Sequence, residues 1–383
     1  MSRKTYCFFA AHYLPHLGGV ERYTKNLAQE LINRGNDVII VASQLEGQVD
    51  YVEQKNLTIV RMESIPVMDN RFPILKCTKR NKEMIKNLQN KKIDYVIVNT
   101  RFYPLCLYAV GFAKKRKIPS IVIEHGTGHF TVNNPVFDFC GHIYEHMITS
   151  LVKKKCSRFY GVSEACNQWL KHYGINASGI LYNSIDLDEI QNKLEVCGNN
   201  IQTRFDYKEN DFIITYTGRL IKEKGILKLV EAVKKVKKQH KNVKLCIAGD
   251  GELYSELKNI QCEGIYVLGR LDFKDIIDLL KHTDVYCLPT DYPEGLPTSV
   301  LEAIACHVYV ITTKEGGSKE IIICSDDYGT ILKNNTVEEI EERLNYLIDH
   351  NDEQQKAVKL AYARVENLFT WKSTADKLVN IFN

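Results

Sequence analysis

No stretch of these 383 residues approaches the roughly 18 consecutive apolar positions that span a bilayer, so the sequence predicts only peripheral membrane contact. The opening run MSRKTYCFFAAHYLPHLGG is too short for a secretory hydrophobic region and lacks a clean small-residue cleavage site, and reads instead as a first strand of a cytoplasmic protein. There is no CxxC and no Cys/His cluster at metal-ligand spacing. The 12 cysteines stand singly, in segments such as Leu245-Cys246-Ile247 and Tyr286-Cys287-Leu288, which predicts reduced, buried thiols. No GxGxxG fingerprint occurs, which argues against a dinucleotide-dependent dehydrogenase. Neither half offers a clear Asp-x-Asp metal motif where a crevice would form. Internal repeats and low-complexity segments are lacking too, and no nucleic-acid motif appears, so nucleic acid is not an expected partner.

What is present is ordinary globular material, 44% hydrophobic and 26% charged, in a chain longer than the roughly 250 to 300 residues at which single cores split. Two domains are expected. The net charge of +4 conceals an asymmetry: residues 1–180 carry 25 Lys+Arg against 14 Asp+Glu, and residues 181–383 carry 26 against 33. The basic excess gathers in Lys76–Lys92, Lys114–Lys117 and Lys153–Lys155. Such clusters suit anionic lipid head groups, at about 1 kcal/mol per near-surface cation, and equally suit solvated helix faces.

Short β-branched and aromatic runs alternate with amphipathic segments of helix length, the pattern of parallel α/β sheets. Strands are predicted at Tyr6–Ala11, Val38–Ala42, Leu57–Arg61, Tyr95–Val98, Ser120–Ile123 and Phe159–Val162, then at Phe212–Tyr216, Val243–Ala248, Ile265–Leu268, Val285–Leu288 and Val308–Ile311. Each set can build one doubly wound sheet. The hinge is expected after Leu181–Asp186, toward the polar stretch Gln191–Glu209, giving domains 1–182 and 183–370. A break near Trp371 precedes a final helix, 371–383.

Four segments carry candidate chemistry. In His12-Tyr13-Leu14-Pro15-His16-Leu17-Gly18-Gly19-Val20-Glu21, paired glycines before a helix let backbone N–H groups approach a phosphate, although a Gly-Gly turn is also a plain connection. Glu124-His125-Gly126-Thr127-Gly128 ends a buried strand, where ligands of doubly wound sheets bind. Gly218-Arg219 through Lys224-Gly225 places a guanidinium and an ammonium on a glycine-bounded turn, able to grip a diphosphate whose charge rises as a sugar bond breaks. The fourth, Pro289 to Ala303, puts Glu294 in a loop and Glu302 on a helix that starts near Thr298, with Thr298 as its expected cap. Carboxylates there can accept hydrogen bonds from vicinal sugar hydroxyls while the helix N-terminus holds phosphate. Glu315-Gly316-Gly317-Ser318-Lys319-Glu320 opens a further helix and could line the same place.

In order and spacing these segments resemble the family 4 retaining glycosyltransferases of GT-B architecture: GGVE, EHG, VSE at Val162-Ser163-Glu164, the NSID turn, GRL followed by KG, GDGE at Gly249–Glu252, the paired glutamates and GGSKE. The resemblance implies two Rossmann-like α/β domains facing a cleft, with the terminal helix packing back on the first. It implies that Arg219 and Lys224 hold the donor diphosphate, Glu294 binds the transferred sugar, Glu302 the ribose, and His125 touches the donor sugar. Gly18, Gly19, Gly218, Leu296, Pro297 and Thr298 would line the donor; Glu21, His12 and Tyr13 would lie at the acceptor. Ser184 departs from the glycine common after Asn183 in that family. The implied activity is metal-independent, retaining transfer from a nucleotide sugar, UDP first on family frequency, to a glycan or lipid-linked acceptor in envelope polysaccharide synthesis. No cofactor is required, because the nucleotide sugar is a substrate. Two rivals are a nucleotide-sugar epimerase of the same architecture and a non-catalytic donor-binding subunit; the latter would be expected to lose Arg219, Lys224 or Glu294, all present here.

Overall fold

The computed structural model describes residues 2–16, 18–45, 48–68, 71–131, 134–196 and 208–382. The chain forms two compact units, Met1–Asn183 with Trp371–Asn383, and Ser184–Thr370. In the first unit the strands are β1 (Thr5–Ala10), β2 (Asp37–Gln44), β3 (Tyr51–Gln54), β4 (Leu57–Ile65), β5 (Ile74–Leu75), β6 (Tyr95–Asn99), β7 (Ser120–Glu124), β8 (Phe159–Gly161) and β9 (Gly179–Ile180). Its helices are α1 (Gly19–Asn33), α2 (Lys79–Asn90), α3 (Pro104–Arg116), α4 (Pro135–Lys153) and α5 (Glu164–Lys171). The sheet order is β3-β4-β2-β1-β6-β7-β8-β9, with β5 beside β4. All pairs are parallel except those of β3 and β5 with β4.

Both faces of this sheet are covered, which is why β1 reads as an unbroken apolar run instead of an alternating one. Cys7 and Phe9 pack on one side with Ala109, Val110 and Phe112 of α3. Tyr6 and Phe8 pack on the other with Tyr23, Leu27 and Leu31 of α1. Those three α1 residues recur at helical spacing, so one stripe of the helix meets the sheet.

The second unit contains α6 (Leu187–Val196), β10 (Phe212–Thr217), α7 (Ile226–Val236), β11 (Val243–Ala248), α8 (Tyr254–Lys258), β12 (Ile265–Gly269), α9 (Phe273–Lys281), β13 (Val285–Leu288), α10 (Thr298–Ala305), β14 (Tyr309–Thr313), α11 (Ser318–Ile321), β15 (Thr330–Leu332), α12 (Val337–Asp349) and α13 (Asn351–Leu368). Its sheet is parallel throughout, ordered β12-β11-β10-β13-β14-β15. Numbered within the unit this is 3-2-1-4-5-6, the dinucleotide-fold order, and β4-β2-β1-β6-β7-β8 repeats it in the first unit. The final helix, α14 (Trp371–Phe382), belongs to the first unit. Trp371 meets the Tyr23 ring edge-on at 5.2 Å, Phe382 stacks on Tyr95 at 4.3 Å, and the Thr374 hydroxyl donates to the Tyr182 carbonyl at 3.1 Å.

Each strand expected from sequence is present, and four others were not expected. β3, β5, β9 and β15 are two to four residues long. Strands so short leave no apolar run to read, and β3 and β5 lie mostly exposed besides. The polar stretch Gln191–Glu209 is helical through Val196 and lies outside the described residues at 197–207; the division falls between Asn183 and Ser184, one residue past the expected boundary after residue 182. Ser184 is buried and is not among the residues with positive φ, so its backbone does not need the glycine of the resembling family. The thiols follow expectation only in part. Cys7, Cys106, Cys156, Cys166, Cys246, Cys287 and Cys306 are buried, but Cys77, Cys140 and Cys324 are exposed.

Candidate functional site

In a doubly wound sheet the crevice opens where neighbouring strands send their crossovers to opposite faces, beyond the carboxyl ends. In the second unit that point lies between β10 and β13. Gly218 and Arg219 follow β10, a single 3-10 turn spans Lys222–Lys224, and Gly225 leads into α7. The loop after β13 carries Asp291 to Pro297. Two glycines set how closely the neighbouring turns approach it. A Cβ on Gly225 (φ +72) would lie 1.8 Å from the Pro289 carbonyl oxygen, and one on Gly316 (φ +58) would lie 1.9 Å from that of Glu294. Only glycine permits either approach.

This packing brings together Arg219, Lys224 and Glu294. Lys224 Nζ is ion-paired with the Glu294 carboxylate, both side chains being largely buried. The Tyr292 ring lies under both cations, 5.0 Å from the Arg219 guanidinium and 5.2 Å from Lys224 Nζ. Arg219 is exposed, and among the described residues no carboxylate pairs with it. Its turn is fixed by the Tyr216 hydroxyl, which donates to the Arg219 carbonyl at 2.8 Å. Glu302 converges on the same place. Burial foremost holds the Tyr286 hydroxyl above its ordinary pKa, and the charges of Glu302 and Glu294 push in the same direction against hydrogen bonds with Ser299 and Thr217.

Leu296 and Pro297 are buried and lead into α10. Thr298 is not the cap expected from sequence: it is the first helical residue, Pro297 occupies the cap position, and no side-chain cap bond is made. The first amides of α10 are therefore not satisfied by a capping side chain, as an anion site requires. The Glu315–Gly317 turn adjoins the same loop, with the Gly317 amide donating to the Gly295 carbonyl at 3.0 Å.

The switch point of the first unit lies between β1 and β6. After β1 come His12 and Tyr13, both buried, and after Leu17, which lies outside the described residues, Gly18 precedes α1 and Gly19 begins it. The buried Glu21 side chain folds back under the helix start, so a Cβ on Gly18 would meet its Oε2 at 2.4 Å. His16 Nδ1 lies 3.0 Å from Glu21 Oε1, and the His16 ring stacks on His12 at 4.7 Å. Burial lowers the His12 pKa. Arg61 anchors the turn from β4, donating to the Leu14 carbonyl at 2.9 Å.

His125, after β7, meets Tyr23 edge-on at 4.8 Å and keeps a partly exposed rim. Its Nε2 lies 2.9 Å from Asn99 Oδ1; Asn99 Nδ2 donates to Thr24 Oγ1 at 2.9 Å, and the Thr24 hydroxyl donates to the Val20 carbonyl at 2.7 Å. This chain assigns the tautomer. Thr24 spends its proton on Val20 and must accept from the Asn99 amide, so Oδ1 faces His125 and Nε2 carries the hydrogen. Nδ1 is then a bare acceptor. Desolvation pushes the His125 pKa down to about 3, so the ring is neutral near pH 7.

Sequence reading missed Arg101, which follows β6 at the switch point. It is 1% exposed, paired with Glu124 and, at 2.9 Å, with Glu145, and it lies 3.9 Å from the Tyr173 ring centroid. The two carboxylates organise the loop after β7. Glu124 Oε1 accepts from the His125 and Gly126 amides at 3.2 Å, and Glu145 Oε1 from the Phe130 amide at 2.8 Å. The available signal was positional: Asn99-Thr100-Arg101 closes a buried apolar strand at the end where ligands bind. Histidines from three segments also gather beside this network. His129, His146 and His172 each offer a nitrogen within 4.8 Å of the other two, a cluster that no sequence spacing announced. A concavity of about 510 Å³ lined by Arg3, Asp37, Lys91 and others sits at the opposite end of β1 and holds none of the expected residues.

Two sheets of 3-2-1-4-5-6 order in one chain, each with a charged or hydrogen-bonded loop cluster at its switch point, define the GT-B class. The family comparisons agree. The Glycosyltransferase Family 4 model matches residues 17–189, and the Glycosyl transferases group 1 model matches residues 199–364. An uncharacterized glycosyltransferase of Methanocaldococcus jannaschii is 26% identical over 98% of this chain and 97% of its own. The phosphatidylinositol N-acetylglucosaminyltransferase GPI3 subunit of Saccharomyces cerevisiae is 20% identical, covering 97% of this chain and 80% of that protein. The crystal structure of Anabaena Alr3699/HepE in complex with UDP superposes with a TM-score of 0.74 at 15% identity, over 99% of each chain. The chain belongs to the GT-B glycosyltransferases of family 4.

Proposed function

We propose that this protein moves a sugar from a nucleotide diphosphate, UDP in first place, to a hydroxyl of a lipid-linked or glycan acceptor at a membrane surface, with retention and without a metal. The observation that carries the reading is the cation arrangement beyond β10 and β13: an exposed Arg219 over the Tyr292 ring, with no carboxylate paired to it among the described residues, beside a Lys224–Glu294 pair. When the donor binds, its diphosphate takes Lys224 and Arg219, and the displaced Glu294 carboxylate is released to accept from sugar hydroxyls. As the anomeric bond breaks, charge accumulating on the leaving phosphate falls on these cations and on the amides of α10, in the role metals play elsewhere. Glu302 takes the ribose. In the first unit, Nδ1 of neutral His125 accepts from a sugar hydroxyl, Gly18 and Gly19 leave room for phosphate, and Glu21, His12 and Tyr13 serve the acceptor. The acceptor hydroxyl attacks the face the phosphate leaves and gives its proton to the departing phosphate oxygen, which retains the anomeric configuration.

UDP draws support from the UDP-bound Anabaena structure, and a lipid acceptor from the name of the yeast relative. A membrane-proximal site draws support from α4. Val136, Phe139, Ile143, Met147 and Leu151 repeat every three or four residues along that helix and are 38–71% exposed, a stripe that ends at the exposed Lys153, Lys154 and Lys155. An apolar stripe with basic residues at its end suits a helix lying in an anionic interface. No described helix is long and apolar enough to cross a membrane. Envelope polysaccharide synthesis supplies acceptors of this kind. A thermal-shift series with UDP-, GDP- and ADP-sugars, followed by nucleotide release with and without acceptor, tests the reading. Release that needs both substrates supports transfer; turnover of donor alone would point to an epimerase, and binding without turnover to a donor-binding subunit.

A further inference from the structure

The histidine cluster of the first unit is not used by the proposed transfer reaction. His129 lies in the loop after β7, His146 on α4, and His172 immediately after α5. Their ring centroids are separated by 6.0 Å (His129–His146), 5.2 Å (His129–His172) and 5.0 Å (His146–His172). A fourth imidazole, His142, stacks on His129 at 3.9 Å, and Trp169 stacks on His172 at 4.9 Å.

The carboxylate beside them, Glu145, is already paired with Arg101. The environment of His129 adds a second indication. Its Nδ1 lies 3.3 Å from Glu145 Oε2 and 3.1 Å from the Tyr173 hydroxyl. An ionised carboxylate can only accept, so Glu145 holds the proton on Nδ1 and leaves Nε2 as the lone-pair nitrogen. Metal-bound histidines are oriented by carboxylates in the same way.

We propose that His129, His146 and His172 bind a divalent transition ion of the zinc class, which staples the β7 loop, α4 and α5 together. Three nitrogens on a tetrahedral zinc, at about 2.0–2.1 Å each, lie about 3.3 Å apart. The cluster lies within 4.8 Å now, and side-chain rotation of the exposed His146 and His172 would close it to that spacing. Three protein ligands leave the fourth position to water. Imidazole nitrogen selects zinc, nickel or copper over magnesium and calcium, which prefer oxygen. The stapled loop is the one that begins with His125, so the ion would stiffen a segment of the candidate site without touching the reacting atoms.

The test is isothermal titration of chelator-treated full-length protein with zinc chloride in a non-coordinating buffer, beside unfolding temperature with and without zinc. The double variant His146→Ala/His172→Ala removes only exposed side chains, and its circular dichroism in chelator verifies its fold. His350→Ala is the control for an exposed histidine elsewhere. One equivalent of zinc is expected on the wild-type protein, undisturbed by millimolar magnesium and accompanied by a rise in unfolding temperature. In the double variant that equivalent weakens by more than about 100-fold, since outer partners alone already cost about 10–100-fold. Absence of saturable zinc binding by the wild-type protein, or equal affinity in the folded double variant, overturns the proposal.

Discussion

The two loop clusters lie at the carboxyl ends of central strands in sheets of the same strand order, yet they treat charge in opposite ways. Beyond β10 and β13, Arg219 is exposed with no carboxylate paired to it among the described residues, and Lys224 is paired with Glu294. Beyond β6 and β7, Arg101 is buried between two carboxylates, and the His125 imidazole is neutral and locked in one tautomer. A cation that must accept a phosphate has to be available; a cation that holds a loop in place has to be satisfied already. The topology supplies the location, and solvation separates reagent from scaffold.

The largest expected effect tests the scaffold side. Arg101→Met leaves Glu124 and Glu145 buried without their partner, which should cost about 3–5 kcal/mol in urea unfolding. Arg219→Ala should change stability by no more than about 0.5 kcal/mol, as an exposed substitution does. If the two arginines cost the same, the distinction between them fails. In turnover the order reverses. Arg219→Ala should lower the rate about 10²–10³-fold, the usual cost of losing one donor to developing charge. A folded variant with near wild-type turnover removes Arg219 from the leaving-group role.

Gly225→Ala sharpens the second cluster. The added carbon cannot fit 1.8 Å from the Pro289 carbonyl, so the β13 loop must shift. A loss of about 1–3 kcal/mol is expected, together with weaker donor binding by thermal shift; unchanged donor affinity would mean that the loop does not position the donor.

The first cluster has a pH signature. His125 has a folded pKa of about 3, below the roughly 6.5 of the unfolded chain, so as pH falls through that window the unfolded state takes up a proton that the native state refuses. Its contribution is therefore intact above about pH 6.5 and is lost progressively toward pH 3. Unfolding of His125→Asn should be less acid-sensitive across that window, whereas Arg219→Ala should leave the profile's shape unchanged. The smallest effect on the isolated protein is expected from Ile143→Ser/Met147→Ser. Solution stability should stay within about 0.5 kcal/mol, while sedimentation with anionic vesicles should weaken roughly tenfold or more as buried apolar area is lost. Equal sedimentation of variant and wild type would leave the α4 stripe without a membrane role.

Much of this was open to a reader of the sequence. The central strands announced themselves because both faces are covered, which turns Tyr6–Ala10 or Val243–Ala248 into continuous apolar runs. Arg219, Lys224, Glu294 and His125 were legible because they sit where such runs stop. Thr298 was misread as a cap because threonine before an apolar run is the usual sign of one, but the helix begins one residue earlier than that, at Thr298 itself, and Pro297 takes the cap position. The exposed Cys77, Cys140 and Cys324 escaped because a lone cysteine carries no mark of its surroundings.

The sequence by itself determined the class of fold, the division into two units and the chemical character of the strand-end loops, since periodicity and turn residues act over a few positions along the chain. Only the tertiary structure decided which distant side chains share an environment. Arg101 with Glu124 and Glu145, the Thr24–Asn99–His125 chain that sets a tautomer, and three histidines drawn from a loop and two helices are all contacts across long sequence separations. Burial and proximity fix their charge states, and both arise only once the sheet has closed its core.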